Sequence, residues 1–189
     1  MGPAFGRKKR LPLVVKVVAA AAILAIAGIY AGEIARVNGR SMEPALESGD
    51  RVVFEKLSMR RAGLKRFDIV VFKAPEDPDT IYIKRVIGLP DEVVQATGGR
   101  LLVNGVDKAL PAGMDFAGME FGPVVVRPAH YFVVGDNRGD SVDSRHWGAV
   151  PRDYVLGRAV LKFWPVGSMK IFGCFRAQEE RVKDASKGI

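Results

Sequence analysis

The chain has 189 residues, of which 48% are hydrophobic, and a net charge of +8 at neutral pH. This length fits one folded domain with a short additional segment, and the single cysteine excludes an intramolecular disulfide. Half of the excess positive charge lies in one block near the N-terminus, and the sequence has neither a zinc-ligand spacing nor an aromatic–basic stripe. We therefore predict no metal, no organic cofactor and no nucleic acid partner.

An apolar segment, residues 11–32, follows the basic block at residues 7–10. A helix of this length can cross the hydrocarbon core of a membrane, and the positive-inside rule keeps the basic block in the cytoplasm. Lys16 interrupts the segment near its start, where its side chain can extend to the headgroups. The chain is thus predicted to have a basic cytoplasmic N-terminus (1–10), a transmembrane anchor (11–32) and an extracytoplasmic domain (33–177).

A cleaved secretory signal peptide is the alternative interpretation of the same segment. The basic start, the apolar centre and the small-x-small sequence Ala25-Ile26-Ala27 suit such a peptide. The apolar stretch continues past this site to Ala31, however, and its full length favours an uncleaved anchor. Both interpretations carry the domain to the far side of the membrane.

Beyond residue 32 the sequence consists of short runs of β-branched and aromatic residues, separated by Gly, Pro, Asn and Asp. We predict an all-β domain of largely antiparallel strands, with a turn after Ser41 and with helix mainly in the anchor. The runs that we predict as strands are 51–54, 68–72, 81–87, 100–103, 130–134 and 159–164. The Pro- and Gly-rich segment 109–128 is interpreted as a surface loop or small insertion, and the polar tail 178–189 is expected to fray.

Ser41 lies about nine residues beyond the apolar segment, and Lys84 lies within the apolar run 81–87. A serine hydroxyl is a weak nucleophile and needs a base that takes its proton. Neither His130 nor His146 lies in a recognisable triad motif, whereas burial among apolar residues lowers the pKa of a lysine and lets it act as a base. Taken alone, an exposed strand lysine is the commoner interpretation of Lys84, and the polar segment 135–145 resembles an ordinary surface loop.

Three segments taken together resemble the signatures of type I signal peptidases, in the order and spacing of that family. They are Ser41-Met42-Glu43-Pro44, Tyr82-Ile83-Lys84-Arg85 and Gly135-Asp136-Asn137-Arg138-Gly139-Asp140-Ser141-Val142-Asp143-Ser144-Arg145. The likeness extends from the anchor to about Trp164. The family comprises membrane-anchored serine endopeptidases that release exported proteins from their signal peptides by cutting after small-x-small sites.

The resemblance implies a role for five residues. Ser41 would be the nucleophile and Lys84 the general base of an acyl-transfer reaction, while the Ser141 hydroxyl would orient the lysine amine. Asp143 and Arg145 match the ion pair that holds the third segment in place.

The resemblance also makes the Ser41 backbone N–H one donor of an oxyanion hole. Some members add a serine hydroxyl two positions before the nucleophile, where this chain has Gly39 and hence no side-chain donor. One missing donor can cost a few kcal/mol in the transition state, so another backbone group or water is expected to help.

An extended substrate is expected to add to the strand edges near the nucleophile, with substrate-binding residues at Met42, Ile81, Tyr82 and Ile83. Apolar residues around Met42, together with Phe54 or residues 163 and 164, are candidates for contact with the outer leaflet or for the core. The partners implied are the signal peptides of exported pre-proteins, the lipid bilayer and the export translocon. The implied location is the cell membrane, with a single pass and the N-terminus in the cytoplasm.

Two alternatives remain open at this stage. The first is a dedicated maturation peptidase of the same superfamily, such as one that processes a conjugation pilin. The second is a membrane-tethered β-domain without catalysis, in which Ser41 and Lys84 would lie far apart.

Overall fold

The computed structural model describes residues 32–56, 59, 63–111 and 113–172. Over these residues the chain forms twelve strands, one short α-helix and two 3-10 turns, which confirms the predicted all-β class. The basic N-terminus, the anchor up to residue 31, residues 173–177 and the polar tail lie outside the described residues. Among the residues that are described, no helix is long and apolar enough to span a membrane.

The strands form two antiparallel sheets. In chain order they are β1 (Glu33–Arg36), β2 (Arg51–Glu55), β3 (Ile69–Lys73), β4 (Ile81–Gly88), β5 (Val93–Thr97), β6 (Arg100–Val103), β7 (Val106–Asp107), β8 (Phe121–Val125), β9 (His130–Val134), β10 (Val150–Pro151), β11 (Val155–Trp164) and β12 (Lys170–Ile171). The larger sheet has the order β1-β2-β11-β3-β4-β9-β10, and β12 pairs with β11. The smaller sheet has the order β7-β6-β5-β8.

The centre of the larger sheet is buried on both faces. β3 is buried at four of its five residues, and β4 is buried from Lys84 to its end. Phe72 and Val86 lie in a cluster on one side, whereas Ile87 and Phe132 lie in a cluster shared with the smaller sheet. Continuous apolar runs such as β3 and β9 are therefore needed here, because both faces of these strands are covered.

Segment 109–128 is not a surface loop, which corrects one of the two interpretations of these residues; the other, a small insertion, stays a prediction. Phe116 and Met119 are buried in the core cluster of the smaller sheet, and residues 121–125 form β8, which pairs with β5. Pro123 lies within this strand, and β8 is at the edge of the sheet, where a missing N–H costs no interstrand hydrogen bond. The Pro and Gly content thus concealed an edge strand.

All six runs that were predicted as strands are strands, but one begins earlier than expected. β11 starts at Val155 rather than at residue 159 and includes Gly157. A Cβ at Gly157 would lie 2.8 Å from the backbone oxygen of Glu55, so the close approach of β2 requires glycine at this position. Glycine inside a strand weakens the sequence pattern, which explains the late predicted start.

Candidate active site

Ser41 lies in a compact turn between β1 and β2. The amide of Leu46 donates a hydrogen bond to the carbonyl of Met42 (2.9 Å), and both side chains are buried, so they anchor the turn in the core. The Ser41 side chain is left half-buried at the surface of this turn. Its carbonyl oxygen accepts a hydrogen bond from the Asn137 N–H (3.0 Å), which ties the turn to the third segment.

Lys84 lies in the middle of β4, paired with Val70 of β3, and is only 3% exposed. Its Nζ donates a hydrogen bond to Ser41 Oγ at 2.7 Å. Burial lowers the pKa of Lys84 below its usual value; the charge of Asp143 opposes this shift and that of Arg145 adds to it. A lysine with a lowered pKa is more readily neutral, and a neutral amine at this distance can accept the serine proton.

Asp143 organises the third segment and is completely buried. Its carboxylate accepts hydrogen bonds from Ser141 Oγ (2.7 Å), the Gly135 N–H (2.9 Å) and Arg145 Nε (2.7 Å). It also caps the short helix α1 (Ser144–Trp147) by accepting from the Arg145 N–H. Burial by itself would raise the pKa of Asp143, but the hydrogen bonds from Arg145, Gly135 and Ser141 outweigh it and lower the pKa.

The resemblance implied that the Ser141 hydroxyl orients the lysine amine. In the structure, however, no hydrogen bond joins Ser141 to Lys84. The hydroxyl donates to Asp143 instead, because a carboxylate held in its charged form is a stronger acceptor than the lysine nitrogen. Within the described residues, Lys84 Nζ makes one hydrogen bond, which goes to Ser41 Oγ.

Gly135 lies where the third segment approaches the Ser41 turn closely. A Cβ added there would lie 2.5 Å from the Ser41 carbonyl oxygen and would also overlap the Ser141 hydroxyl. Any larger residue would therefore push apart the two segments that carry the candidate serines. In the sequence, Gly135 was recognised only as the first residue of the third segment. Nothing there indicated that glycine is required at this position.

Sequence analysis missed two arginines that brace the site. Arg85 forms a buried ion pair with Asp136 (2.5 Å) and donates to the Phe67 carbonyl, so β4 is fastened to the third segment next to Lys84. Arg138 donates to the Gly135 carbonyl and stacks over the Phe116 ring, with 4.5 Å between the guanidinium carbon and the ring centroid. Both arginines lie in the recognised segments, but Asp136 and Phe116 are far in sequence from the arginines that they contact, so these contacts leave no local signal.

A cleft of about 390 Å³ runs past the Ser41–Lys84 pair. Its lining contains every predicted substrate-binding position, namely Met42, Ile81, Tyr82 and Ile83, as well as Gly39. The structure corrects the interpretation of Met42, because its side chain is only 1% exposed and packs in a core cluster with Leu46. Met42 therefore supports the cleft wall from behind, and it cannot reach a membrane.

The other candidates for membrane contact differ in how far their side chains are exposed. Phe54 is a core residue, whereas Trp164 is 50% exposed. Among the described residues, His, Cys, Asp and Glu side chains do not gather in any group of three or more that could hold a metal ion.

Comparison with known proteins supports the resemblance that the three recognised segments carry. The family model described as "Signal peptidase, peptidase S26" matches residues 10–164, which include all three recognised segments. The chain belongs to the signal peptidase family, peptidase S26. This family membership confirms the resemblance seen in the sequence, and it makes the chain a peptidase.

Three relatives within the signal peptidase family show how far the similarity extends. Signal peptidase I of Leptolyngbya laminosa is 39% identical over 171 residues, which cover 84% of this chain and 82% of the relative. The probable signal peptidase I-2 of Synechocystis sp. is 44% identical over 161 residues, covering 80% of this chain and 72% of the relative. Signal peptidase I of Bacillus caldolyticus is 41% identical over 143 residues, covering 68% of this chain and 78% of the relative.

Proposed function

We propose that the chain is a membrane-anchored endopeptidase that removes signal peptides from exported pre-proteins, with Ser41 as nucleophile and Lys84 as general base. The observation that carries this proposal is the 2.7 Å contact between Lys84 Nζ and Ser41 Oγ in a site where burial lowers the lysine pKa. A non-catalytic β-domain requires neither the contact nor the shifted pKa.

The reaction follows from the chemistry of these two groups. Neutral Lys84 takes the proton of the Ser41 hydroxyl as Oγ attacks the scissile carbonyl, and an acyl-enzyme forms when the protonated lysine gives its proton to the leaving amine. Water then attacks the ester, with Lys84 again taking and returning the proton. Asp143 accepts the hydrogen bond of the Ser141 hydroxyl and stays charged throughout, because its pKa is lowered.

Backbone groups of the Ser41 turn are suited to stabilise the oxyanion. The Ser41 N–H makes no hydrogen bond with the described part of the chain, so it is available to a tetrahedral intermediate. The Gly39 N–H, in contrast, donates to Ser48 Oγ at 3.3 Å. We propose the Ser41 N–H as the principal protein donor, with water supplying what a side chain at residue 39 would provide.

The register of β4 supports an extended substrate. β4 pairs with β3 from Ile81 to Arg85, but β9 pairs with it only from Arg85 onward. The second edge of residues 81–83 is therefore open among the described strands, and these residues line the cleft. A peptide that adds to this edge would form main-chain hydrogen bonds and bring its scissile carbonyl towards Ser41.

An apolar row on the larger sheet, exposed at both ends and half-buried in the middle, supports a location at a membrane. Register pairs join Ile34 to Val53, Val53 to Leu161, and Leu161 to Ile171, so these four residues share one face of β1, β2, β11 and β12; we call them the apolar row. Ile34 is 64% exposed and Ile171 is 76% exposed. Residues 11–32, just before β1, have the length and hydropathy of the proposed anchor, and the N-terminus would lie in the cytoplasm.

The proposal is tested by cleavage of a pre-protein. Full-length protein in detergent is incubated with an exported pre-protein that carries a small-x-small site, and the new N-terminus of the product is sequenced. Cleavage after that site is expected, and Ser41→Ala and Lys84→Ala should each lower kcat/KM by about 10³-fold or more. Lys73→Ala, at the exposed end of β3, is the matched control and should leave cleavage unchanged.

Full activity of Lys84→Ala with a native circular dichroism spectrum would overturn the assignment of the base. The same assay distinguishes a general enzyme from a dedicated one, because a maturation peptidase for a single substrate would cut only one of several unrelated pre-proteins.

A further inference from the structure

A second row of side chains lies beside the apolar row and on the same face of the sheet. Arg36 is paired in register with Arg51, and Arg51 with Trp164, so these three residues form a line across β1, β2 and β11; we call it the basic row. Each of its members lies near the end of its strand, and all three side chains are exposed. The function discussed so far gives no role to the two arginines.

The arginine pair is an unusual arrangement for a sheet. Residues directly opposite on antiparallel strands have Cβ atoms about 4.5–5.5 Å apart, and like charges at such positions destabilise the pair. Neither Arg36 nor Arg51 forms an ion pair with any described residue, although seven such pairs are present in this part of the chain. Two adjacent guanidinium groups without a carboxylate form a site that an anion would neutralise.

The surroundings of the pair indicate which anion it takes. Arg36 lies two residues from Ile34 on the same strand face, and Arg51 lies two residues from Val53, so the basic row borders the apolar row. Tryptophan is enriched where lipid headgroups meet the hydrocarbon, and arginine can extend its charge to that layer from an apolar surface. A guanidinium group also binds phosphate in a bidentate manner.

We infer that Arg36 and Arg51 together bind the phosphate headgroup of an anionic phospholipid, with Trp164 beside them in the interfacial layer. The inference rests on the proposed function, since it needs the catalytic domain to lie on a membrane. Arg36 also lines the cleft that holds Ser41 and Lys84. The bound lipid would therefore mark the end of the cleft through which a membrane-embedded substrate enters.

Quenching of Trp164 fluorescence by brominated lipids tests this inference directly. The chain has two tryptophans, and Trp147→Phe leaves Trp164 as the sole tryptophan, which can be excited selectively over tyrosine. The full-length variant, first checked for pre-protein cleavage, is reconstituted in vesicles that contain equal mole fractions of brominated phosphatidylglycerol or brominated phosphatidylcholine. We expect stronger quenching by the anionic lipid, since each arginine near an anionic surface gives roughly a fivefold preference.

The double substitution Arg36→Gln and Arg51→Gln should reduce quenching by phosphatidylglycerol to the level of phosphatidylcholine. Quenching by phosphatidylcholine should itself stay unchanged, which shows that the variant folds and reaches the membrane. Arg100→Gln with Arg127→Gln is the matched control, because these two exposed arginines lie outside the larger sheet. This control should keep the preference for the anionic lipid.

Equal quenching by the two lipids in the parent protein would overturn the inference, and so would a preference that survives the double substitution. A double variant that keeps its lipid preference but has a higher KM for substrates with acidic residues near the cleavage site would show that the pair binds peptide instead. If neither lipid quenches Trp164 in a parent that cleaves pre-protein, the inference has failed and the proposed function stands. If the parent cleaves no pre-protein, the proposed function itself has failed.

Discussion

The Ser141 hydroxyl donates a hydrogen bond to Asp143, with 2.7 Å between Oγ and Oδ2, and this bond fixes the direction of the hydroxyl proton. A hydroxyl has one donor and two acceptor sites. Since its proton is directed at a charged carboxylate, its lone pairs remain available to accept from another donor. We therefore expect Ser141, held by Asp143, to act as an acceptor for the amine of Lys84 during the reaction.

Substitution of Ser141 by alanine should slow the reaction without abolishing it. Ser141→Ala leaves Lys84 next to Ser41 but removes the hydroxyl that we expect to orient the amine, so kcat should fall by about 10- to 100-fold. The measurement is steady-state cleavage of a pre-protein by the full-length protein. Ser168→Ala, which removes an exposed hydroxyl bonded to the Pro165 carbonyl, serves as control. A kcat equal to that of the parent would show that the hydroxyl has no part in the reaction.

Gly135 and Gly139 offer a matched pair of alanine substitutions within one segment. A Cβ at Gly135 would lie 2.5 Å from the Ser41 carbonyl oxygen, whereas a Cβ at Gly139 would meet no atom within 4 Å. Gly135→Ala should therefore displace the nucleophile and lower kcat/KM by about 10²-fold, a loss typical of a displacement near 1 Å. Gly139→Ala should behave as the parent. Comparable losses in both variants would mean that flexibility of the segment, and not space, limits activity.

The pH dependence of cleavage should follow the protonation of Lys84. Its amine must be neutral to accept the serine proton, so kcat/KM should rise with pH through a pKa that burial places below the usual 10.5. Asp140 lines the cleft, and its negative charge raises this pKa. Asp140→Asn should therefore shift the rising limb to lower pH, while Asp153→Asn, at an exposed 3-10 turn, should not. A shift to higher pH would contradict the assignment of the limb to Lys84.

Asp143 should make the folded state sensitive to acid. Its folded-state pKa lies below the ordinary 3.8, so its contribution to the free energy of unfolding is complete above that value and is lost as the pH falls through the lowered pKa. Asp143→Asn, which leaves Arg145 without its buried partner, should lower the free energy of unfolding at neutral pH by about 3–5 kcal/mol.

Denaturant titrations of the full-length parent and of Asp143→Asn, compared between neutral and acidic pH, measure this contribution. The difference between the two proteins should shrink as the pH decreases. A difference that stays constant down to strongly acidic pH would show that Asp143 stabilises the fold by packing and not by its charge.

The strands were predictable because their signals are local. Runs such as 81–87 and 130–134 combine β-branched residues with flanking turn formers, and each run is a strand. Edge strands were harder to recognise, since β8 carries Pro123 and draws its stability from β5, a distant part of the chain. The burial of Met42 likewise depends on residues that its own sequence context does not identify.

The sequence by itself determined the fold class, the three recognised segments and the residue types available for an acyl-transfer reaction. Only the tertiary structure decided that Ser41 and Lys84, 43 positions apart, lie in hydrogen-bond contact and that Ser141 donates to Asp143. The physical reason is that a lysine pKa and a hydroxyl's choice of acceptor depend on burial and on neighbouring charges. These are set by packing between distant strands and not by adjacent residues.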